Sequence, residues 1–208
     1  MNRSCRRFCL TILLLACGSA HAVGDDRSLD AASARSLMTS LIFRHNHDTP
    51  FIQRQVSPLF AGVSEQHGIL RIEGDGRLVM RILSPRQEMR VIESGTVTMT
   101  RRRTDGRQST LSTRLDPRSE PQLVLLAIEA LLLGNLAFLD EHFLLGGTAQ
   151  PSGWSIELQP RADAGSTLTR IVLLGSDHQL RRLRAEFAGA QRQRWLEMDI
   201  VAASEAPS

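Results

Sequence analysis

Few residues of this 208-residue chain are spaced as catalysis or metal binding would require. The strongest grouping is His45-Asn46-His47-Asp48, which contains two imidazoles and a carboxylate, the side chains that bind transition metals. No other ligand is fixed by spacing, so this stretch is typical of a solvated loop. His67, His142 and His178 are isolated, and neither a GxSxG elbow nor a glycine-rich phosphate loop is present. The sequence therefore predicts a protein that is not an enzyme and that uses no metal and no cofactor.

The first 22 residues have the order of a cleavable secretory signal. Arg3, Arg6 and Arg7 precede a mostly apolar run over residues 8–16, and small residues follow up to Ala20-His21-Ala22. The apolar run is about half of the ~20 residues that a membrane-spanning helix needs. We therefore expect cleavage after Ala22, with residues 1–22 as the signal peptide and residues 23–208 as a single domain exported to the periplasm.

An alternative processing route starts from Cys17. Leu14-Leu15-Ala16-Cys17 resembles a lipobox, in which Cys17 becomes a lipidated N-terminus. Leu15 is a less typical residue at its position in such a motif. A membrane-anchored form of the same domain is therefore the alternative to the cleaved, soluble form.

The leader also accounts for the basic surplus of the chain. The 25 Lys and Arg exceed the 22 Asp and Glu by three, which is the number of arginines in the leader. The exported part is then formally neutral, so we expect no nucleic-acid partner. All three cysteines, Cys5, Cys9 and Cys17, lie in the leader as well. The exported domain thus has no thiol for a disulfide or for a metal site, and its stability must come from an apolar core.

Two segments have helical patterns. Residues 29–44 have apolar positions at Leu37, Leu41 and Ile42, which predicts an amphipathic helix. Residues 123–133 are apolar except for Glu129, and Gly134-Asn135 supplies a C-terminal stop. A helix that is apolar on every side must be covered on every side.

The rest of the chain alternates with a period of two. Short segments bounded by Gly, Pro and Asp predict nine or ten strands, including 51–59, 69–73, 77–83, 88–93, 96–101, 154–159, 168–174, 180–187 and 195–201. The turns Gly74-Asp75-Gly76 and Ser94-Gly95 are short enough for antiparallel hairpins. The run Arg101-Arg102-Arg103 is typical of the solvated, basic end of a hairpin, with contact to a lipid head group or an acidic partner as the alternative. The predicted fold class is α+β and mainly β, a strongly curved antiparallel sheet or incomplete β-barrel with a helical lid.

The alternation predicts one apolar and one polar face. The apolar face is expected to carry Leu70, Ile72, Leu78, Met80, Ile82, Met89, Val91, Val97, Met99, Trp154 and Ile156. The polar face is expected to carry Arg71, Glu73, Arg77, Arg81, Arg90 and Thr98. A packed core and a ligand cavity need the same residues, so alternation leaves both open. Flexible aliphatic side chains, with no Tyr in the chain, favour a surface that adapts to acyl chains.

Two motifs carry a family resemblance. The run from Phe51 to Pro85, with FxQxQxSPLF at its start, resembles the opening strands of the LolA-type periplasmic lipoprotein carriers. The run from Trp154 to Pro160 is similar to the WxLxLxP strand that follows the lid region in that family. The order of signal, helix, strands, apolar helix and strands also agrees, so the resemblance covers nearly all of the exported part.

The resemblance implies an unclosed barrel with a lid over a cavity that shields acyl chains from water. The residues named on the apolar face would form the cavity, and the lid would consist of Leu37, Leu41, Leu123, Leu126, Ile128 and Leu131. The ligand would be an acylated lipoprotein or a lipid-like molecule, which a monomeric carrier takes from an inner-membrane donor to an outer-membrane acceptor. Many carriers tie the lid down with a turn arginine, for which Arg77 is the nearest candidate here. A regulatory or scaffold domain of the same fold, with a filled core and no lipid, is the alternative from another class.

Overall fold

A computed structural model describes residues 27–41, 46–56, 62–102, 105–161, 167–189 and 194–201. The strands in these ranges are β1 (Arg27–Leu29), β2 (Thr49–Val56), β3 (Val63–Ile72), β4 (Leu78–Ser84), β5 (Glu88–Glu93), β6 (Thr96–Arg102), β7 (Gln108–Arg114), β8 (Phe143–Gln150), β9 (Gly153–Pro160), β10 (Leu168–Ser176), β11 (Gln179–Phe187) and β12 (Arg194–Ile200). The helices are α1 (Ala31–Thr39), α2 (Glu120–Leu132) and α3 (Leu136–His142).

All of these strands form one antiparallel sheet in the order β1-β8-β9-β10-β11-β12-β2-β3-β4-β5-β6-β7. Two meanders, β2 to β7 and β8 to β12, are joined where β12 pairs with β2. Strands β1 and β7 are the two edges and do not pair with each other, so the sheet is not closed. The predicted mainly β fold, an incomplete barrel with helices, is confirmed.

Hairpin turns set the register of the first meander. Ser94 and Gly95 connect β5 to β6 with φ of 49° and 70°, the left-handed pair that a tight two-residue hairpin requires. The turn between β3 and β4 is closed by a hydrogen bond of 2.8 Å from the Glu73 amide to the Arg77 carbonyl. Both turns are where the glycine-containing segments predicted them.

Helix α2 follows from its sequence and is covered on all sides. Pro121 lies in its first turn, where a missing amide hydrogen costs nothing. Gly134, with φ of 71°, follows its end in the left-handed conformation that terminates helices. From Leu123 to Leu132 every residue except Leu125 is buried, including Glu129. The predicted apolar helix and its stop at Gly134 are confirmed.

Helix α1 is shorter than predicted. Asp30 caps it by accepting a 2.8 Å hydrogen bond from the Ser33 amide, so the helix begins at Ala31 and not at Leu29, which belongs to β1. It ends at Thr39, and Leu41 is buried just beyond that end. The predicted continuation over residues 42–44 lies outside the described residues.

The prediction missed four described elements. Strands β1, β7 and β8 and helix α3 have no clear periodic signal in the sequence, because β7 is exposed along its whole length and β8 contains two glycines in a row. Gly147 is needed where it stands, since a Cβ there would lie 2.1 Å from the Ser155 carbonyl oxygen of β9. The close approach of β9 therefore requires glycine at a position where an apolar residue would have marked β8 as a strand.

The outer face of the sheet carries the predicted charges Arg71 and Arg81, but Met89 and Val91 also lie on it. Across β10, β11, β12 and β2 it carries alternating charges, among them Arg170 with Glu186 (2.8 Å) and Arg54 with Asp199 (2.6 Å). Such exposed pairs each contribute little to stability. Because burying these charges would be costly, this face stays in solvent and the opposite face packs around α2.

Candidate ligand-binding cavity

A cavity of about 360 Å³ lies between the N-terminal half of α2 and the inner face of the sheet. This volume is in the range of small-molecule binding sites. The apolar part of its wall comes from Val56, Met80, Pro121, Val124, Leu125, Ile128, Phe187, Trp195, Leu196 and Met198. The polar part comes from Gln53, Gln55, Gln66, Arg90, Glu120 and Arg194. The cavity thus combines an aliphatic surface with a limited set of hydrogen-bonding groups.

Three glutamines form one side of the polar wall. Gln53 and Gln55 alternate with outward residues along β2, and Gln53 faces Gln66 of β3 as its cross-strand partner. Gln53 is buried, and the Gln66 side-chain oxygen is buried without a hydrogen-bond partner among the described residues. Buried amides usually have partners, so this oxygen is a position for a ligand donor or a water. The FxQxQ spacing, with its period of two, places Gln53 and Gln55 on the same face of β2 as buried Phe51.

Strand β5 faces the opposite way from the prediction. Met80 lies opposite Arg90, and Leu78 lies opposite Ile92, so Arg90 and Ile92 point inward. Met89 and Val91 lie opposite Arg81 and Val79 and therefore belong to the outer face, where Met89 is exposed. The predicted inward placement of Met89 and Val91, and the predicted outward placement of Arg90, are wrong.

Paired charges make this register stable. Glu88, on the same inward face as Arg90, accepts hydrogen bonds from both Arg90 and Arg101. Burial by itself raises the pKa of Glu88, but the hydrogen bonds and charges of the two guanidinium groups outweigh it and hold the pKa below the ordinary value. Arg90 can therefore face inward, because Glu88 compensates its charge, and Met89 and Val91 take the outer face.

Helix α2 supplies the roof of the cavity through its N-terminal half. Of the predicted lid residues, Ile128 lines the cavity, together with Val124 and Leu125. Leu126 instead lines a second cleft at the other end of the helix, beside the β5–β6 turn. Leu123 and Leu131 are buried but are not part of the cavity wall.

Polar contacts tie both ends of α2 to the sheet. At the N-terminal end, the Glu120 carboxylate accepts hydrogen bonds from the amide and hydroxyl of Thr167, and Arg194 donates to the same hydroxyl at 2.7 Å. At the other end, buried Glu129 accepts from the Gly95 amide at 3.3 Å. These contacts hold the helix over the cavity and could not be predicted from local sequence.

Arg77, the candidate for the lid-tying arginine, lies in the β3–β4 turn. Its ion pairs go to Glu73 (2.6 Å) and Asp75 (2.8 Å) of that same turn. The ion pairs of Arg77 thus stay within its own turn, and the described contacts at the two ends of α2 are those of Glu120 and Glu129.

The first helix lies away from the cavity. Helix α1 packs beside β8, and its Arg35 pairs with Asp140 of α3 at 2.5 Å. Leu37 is partly buried and Leu41 is buried, but neither is part of the cavity wall. The structure thus separates these two predicted lid residues from Ile128.

Most predicted cavity residues pack into the core. Met80 is in the cavity wall, and Ile82 is in the wall of a neighbouring cleft. The others that face inward are buried or packed against the core: Leu70, Ile72, Leu78, Val97, Met99, Trp154 and Ile156. The prediction missed Trp195, Leu196 and Met198, which line the cavity together with Phe187 because β11 and β12 adjoin β2 across the middle of the sheet.

The histidine-rich stretch is only partly described. His45 lies outside the described residues, and Asp48 pairs with Arg71 at 2.6 Å, a hydrogen bond that lowers the pKa of Asp48. Across the described ranges, no three His, Cys, Asp or Glu side chains converge as a metal site would need. None of the described helices is long and apolar enough to cross a membrane.

One protein family and two solved structures are similar to this chain. The model of the family described as outer membrane lipoprotein carrier protein LolA-like matches residues 24–206. A solved structure of a LolA superfamily protein, NE2245 from Nitrosomonas europaea, is similar with a TM-score of 0.42 and 10% identity, over 84% of this chain and 94% of that one. A chain in the complex structure of Pseudomonas aeruginosa MucA/MucB is similar with a TM-score of 0.37 and 11% identity, over 82% of this chain and 57% of that one. No curated protein matches the chain in sequence. Because the family model spans nearly the whole chain, the protein belongs to the LolA-like family.

Proposed function

We propose that this protein is a periplasmic carrier that binds the acyl chain of a lipoprotein or lipid-linked molecule in the cavity under α2 and delivers it toward the outer membrane. The observation that carries the proposal is an aliphatic cavity of about 360 Å³ roofed by a helix that is apolar on all sides. The chain's family, with its description as a lipoprotein carrier, supports the same reading. The proposed role needs no catalytic group, because the cargo is moved without being changed.

A carrier must limit the free energy that it gains by binding its cargo, and helix α2 supplies such a limit. Burying one methylene is worth about 0.8 kcal/mol, so a sixteen-carbon chain could gain roughly 12 kcal/mol gross. A carrier that kept this gain could not release its cargo. Val124, Leu125 and Ile128 cover the inner face, so a ligand must displace them and loses part of its gain.

A matched pair of variants in α2 tests this proposal. Ile128 and Leu131 are almost equally buried, but Ile128 lines the cavity and Leu131 does not. Both Ile128→Ala and Leu131→Ala should lower the free energy of unfolding by about 2–5 kcal/mol. Ile128→Ala alone should bind a fluorescent sixteen-carbon fatty-acyl probe more tightly or release it more slowly, because less covering surface is displaced.

Thermal unfolding and probe titration on the same samples give the answer. Loss of stability in both variants, with no probe binding by any form, would overturn the carrier proposal. That result would instead favour a scaffold domain with a filled core and a protein partner.

Export is tested by the mass of the purified protein. The leader predicts a protein that begins at Val23 and is recovered in the soluble periplasmic fraction. An intact mass that shows an acylated Cys17 at the N-terminus would point to a membrane-anchored lipid receptor instead.

A further inference from the structure

A basic cleft lies next to the cavity. It has a volume of about 760 Å³ and lies where β4 turns into β5 and where β6 ends, and its wall includes Gln66, Arg86, Glu88, Arg101 and Arg102. Since β3 begins and β6 ends on the same rim of the antiparallel sheet, the cleft adjoins the part of the cavity wall that β3 supplies. Gln66 belongs to both walls.

The charge of the cleft is positive. Its wall contains three guanidinium groups and one carboxylate, and that carboxylate, Glu88, is already paired with Arg90 and Arg101. Arg86 and Arg102 are exposed and make no hydrogen bond or ion pair with another described residue. The chain beyond the leader has balanced charges, so this excess is local. Uncompensated arginines of this kind attract phosphate and carboxylate groups.

From the cavity to the basic cleft, the wall changes from apolar to polar and then to positively charged. The aliphatic wall of the cavity comes first, then the Gln66 amide with its unpartnered buried oxygen, then the guanidinium groups of the cleft. An anionic amphiphile has the same order, since an acyl chain leads to a polar ester, amide or hydroxyl link and then to an anionic group.

We propose that the basic cleft binds the anionic group, phosphate by preference, of the molecule whose acyl chain occupies the cavity. This inference rests on the proposed carrier function and narrows its ligand to an anionic amphiphile. Arg86 and Arg102 would hold the anion directly, because their guanidinium groups can donate two parallel hydrogen bonds to phosphate oxygens. Arg101 contributes charge while it stays paired with Glu88.

Two probes with the same fluorescent acyl chain test the inference, a monoacylglycerol phosphate and a neutral monoacylglycerol, each kept monomeric in solution. The double variant Arg86→Glu/Arg102→Glu changes only exposed positions of the cleft. It should weaken binding of the anionic probe at least about tenfold, which corresponds to ~1.4 kcal/mol, and leave the neutral probe nearly unchanged. Arg107→Glu is the control, because Arg107 is exposed in the β6–β7 turn but is not part of the cleft wall.

Salt gives a second readout. The anionic probe should bind the wild-type protein less tightly as ionic strength rises, and the double variant should lose this dependence. A neutral variant pair, Arg86→Gln/Arg102→Gln, should give a smaller loss of affinity in the same direction.

Each contrary outcome has its own meaning. Equal binding of both probes, unchanged in the double variant, would overturn the basic cleft as a head-group site and leave the carrier function standing. Failure of both probes to bind the wild-type protein would overturn the carrier function itself. Glycerol phosphate binding as tightly as the acylated phosphate would show a free phosphate site. Loss of binding to phosphatidylglycerol vesicles, with monomeric probes unaffected, would show a surface that meets membranes.

Discussion

The inner faces of β9 to β11 and of β2 to β5 alternate in the same way but carry different side chains. Ile156, Leu158, Ile171 and Leu173 on the first are at most 1% exposed and pack closely. The second carries Gln53, Gln66, Glu88 and Arg90 among its apolar residues, and the cavity and the basic cleft lie there. Polar side chains that face inward need partners and do not pack into one another as aliphatic groups do. A strand sequence with inward amides and charges thus indicates where the sheet of this fold leaves room for a ligand.

The largest expected effect lies in the packed region. Leu173 is fully buried, whereas its neighbour Leu174 is 37% exposed on the other face. Leu173→Asp should lower the free energy of unfolding by at least about 4 kcal/mol, because it buries a charge without a partner. Leu174→Asp should change it by about 0.5 kcal/mol or less. Urea unfolding measures both, and similar losses at the two positions would contradict the packed face.

A smaller effect is expected at Glu88 in the polar region. Glu88→Gln should cost about 1–2 kcal/mol at neutral pH, since two charge-assisted hydrogen bonds are weakened. The folded-state pKa of Glu88 lies below its ordinary value of 4.5, so its stabilising contribution is present above that value and is lost as pH falls through the folded-state pKa. The difference in stability between wild type and variant should therefore shrink on acidification. Urea unfolding at pH 7 and at about pH 3.5 tests this, and a pH-independent difference would argue against the ion pairs.

The contact of Glu120 with Thr167 and Arg194 at the start of α2 is expected to affect the stability of that end of the helix most. Thr167→Val removes the hydroxyl that links Glu120 to Arg194 and should cost about 1 kcal/mol. Amide hydrogen exchange should speed up in the N-terminal half of α2, over the cavity, and less in the half held by Glu129. Thr167→Ser keeps a hydroxyl and serves as the control. Equal acceleration along the whole helix would show that α2 opens as one unit.

The smallest effect tests the register of β5. Met89 is exposed on the outer face, so Met89→Lys should change the free energy of unfolding by about 0.5 kcal/mol or less. Ile92→Lys, three residues along and fully buried, should be severely destabilised. Thermal unfolding separates the two, and a large loss at Met89 would restore the register predicted from alternation.

Much of the fold could be predicted because its strands and its apolar helix have strong periodic signals. The ends of the predicted strands 88–93 and 96–101 agree closely with those of β5 and β6. The Ser94-Gly95 turn between them has the left-handed backbone that a tight hairpin requires. Strand β7 has no buried residue, and β8 has Gly146 and Gly147 where apolar residues would mark a strand. Their pairing depends on neighbours distant in the chain, which local patterns do not report.

The candidate site was less predictable than the fold. In β5 either Met89 and Val91 or Arg90 and Ile92 could face inward. The apolar pattern favoured Met89 and Val91, which is wrong. The orientation is decided by Glu88, which neutralises Arg90 inside the sheet, and by pairing with β4. The basic run at Arg101 and Arg102 was visible in the sequence, but its position beside the cavity depends on the β3 and β5 partners.

The seam between β12 and β2 has a consequence for the timing of folding. Arg54 of β2 contacts Asp199 of β12 at 2.6 Å, so the middle of the sheet joins the first long strand to the last described one. A seam between such distant segments forms only after both have emerged, and topologies dominated by non-local pairing fold slowly. The chain's predicted secretory leader would send it through a membrane before that seam can close. The strand order thus makes the pairing of β2 with β12 a late event in folding, and the cavity wall, to which both strands contribute, is completed only then.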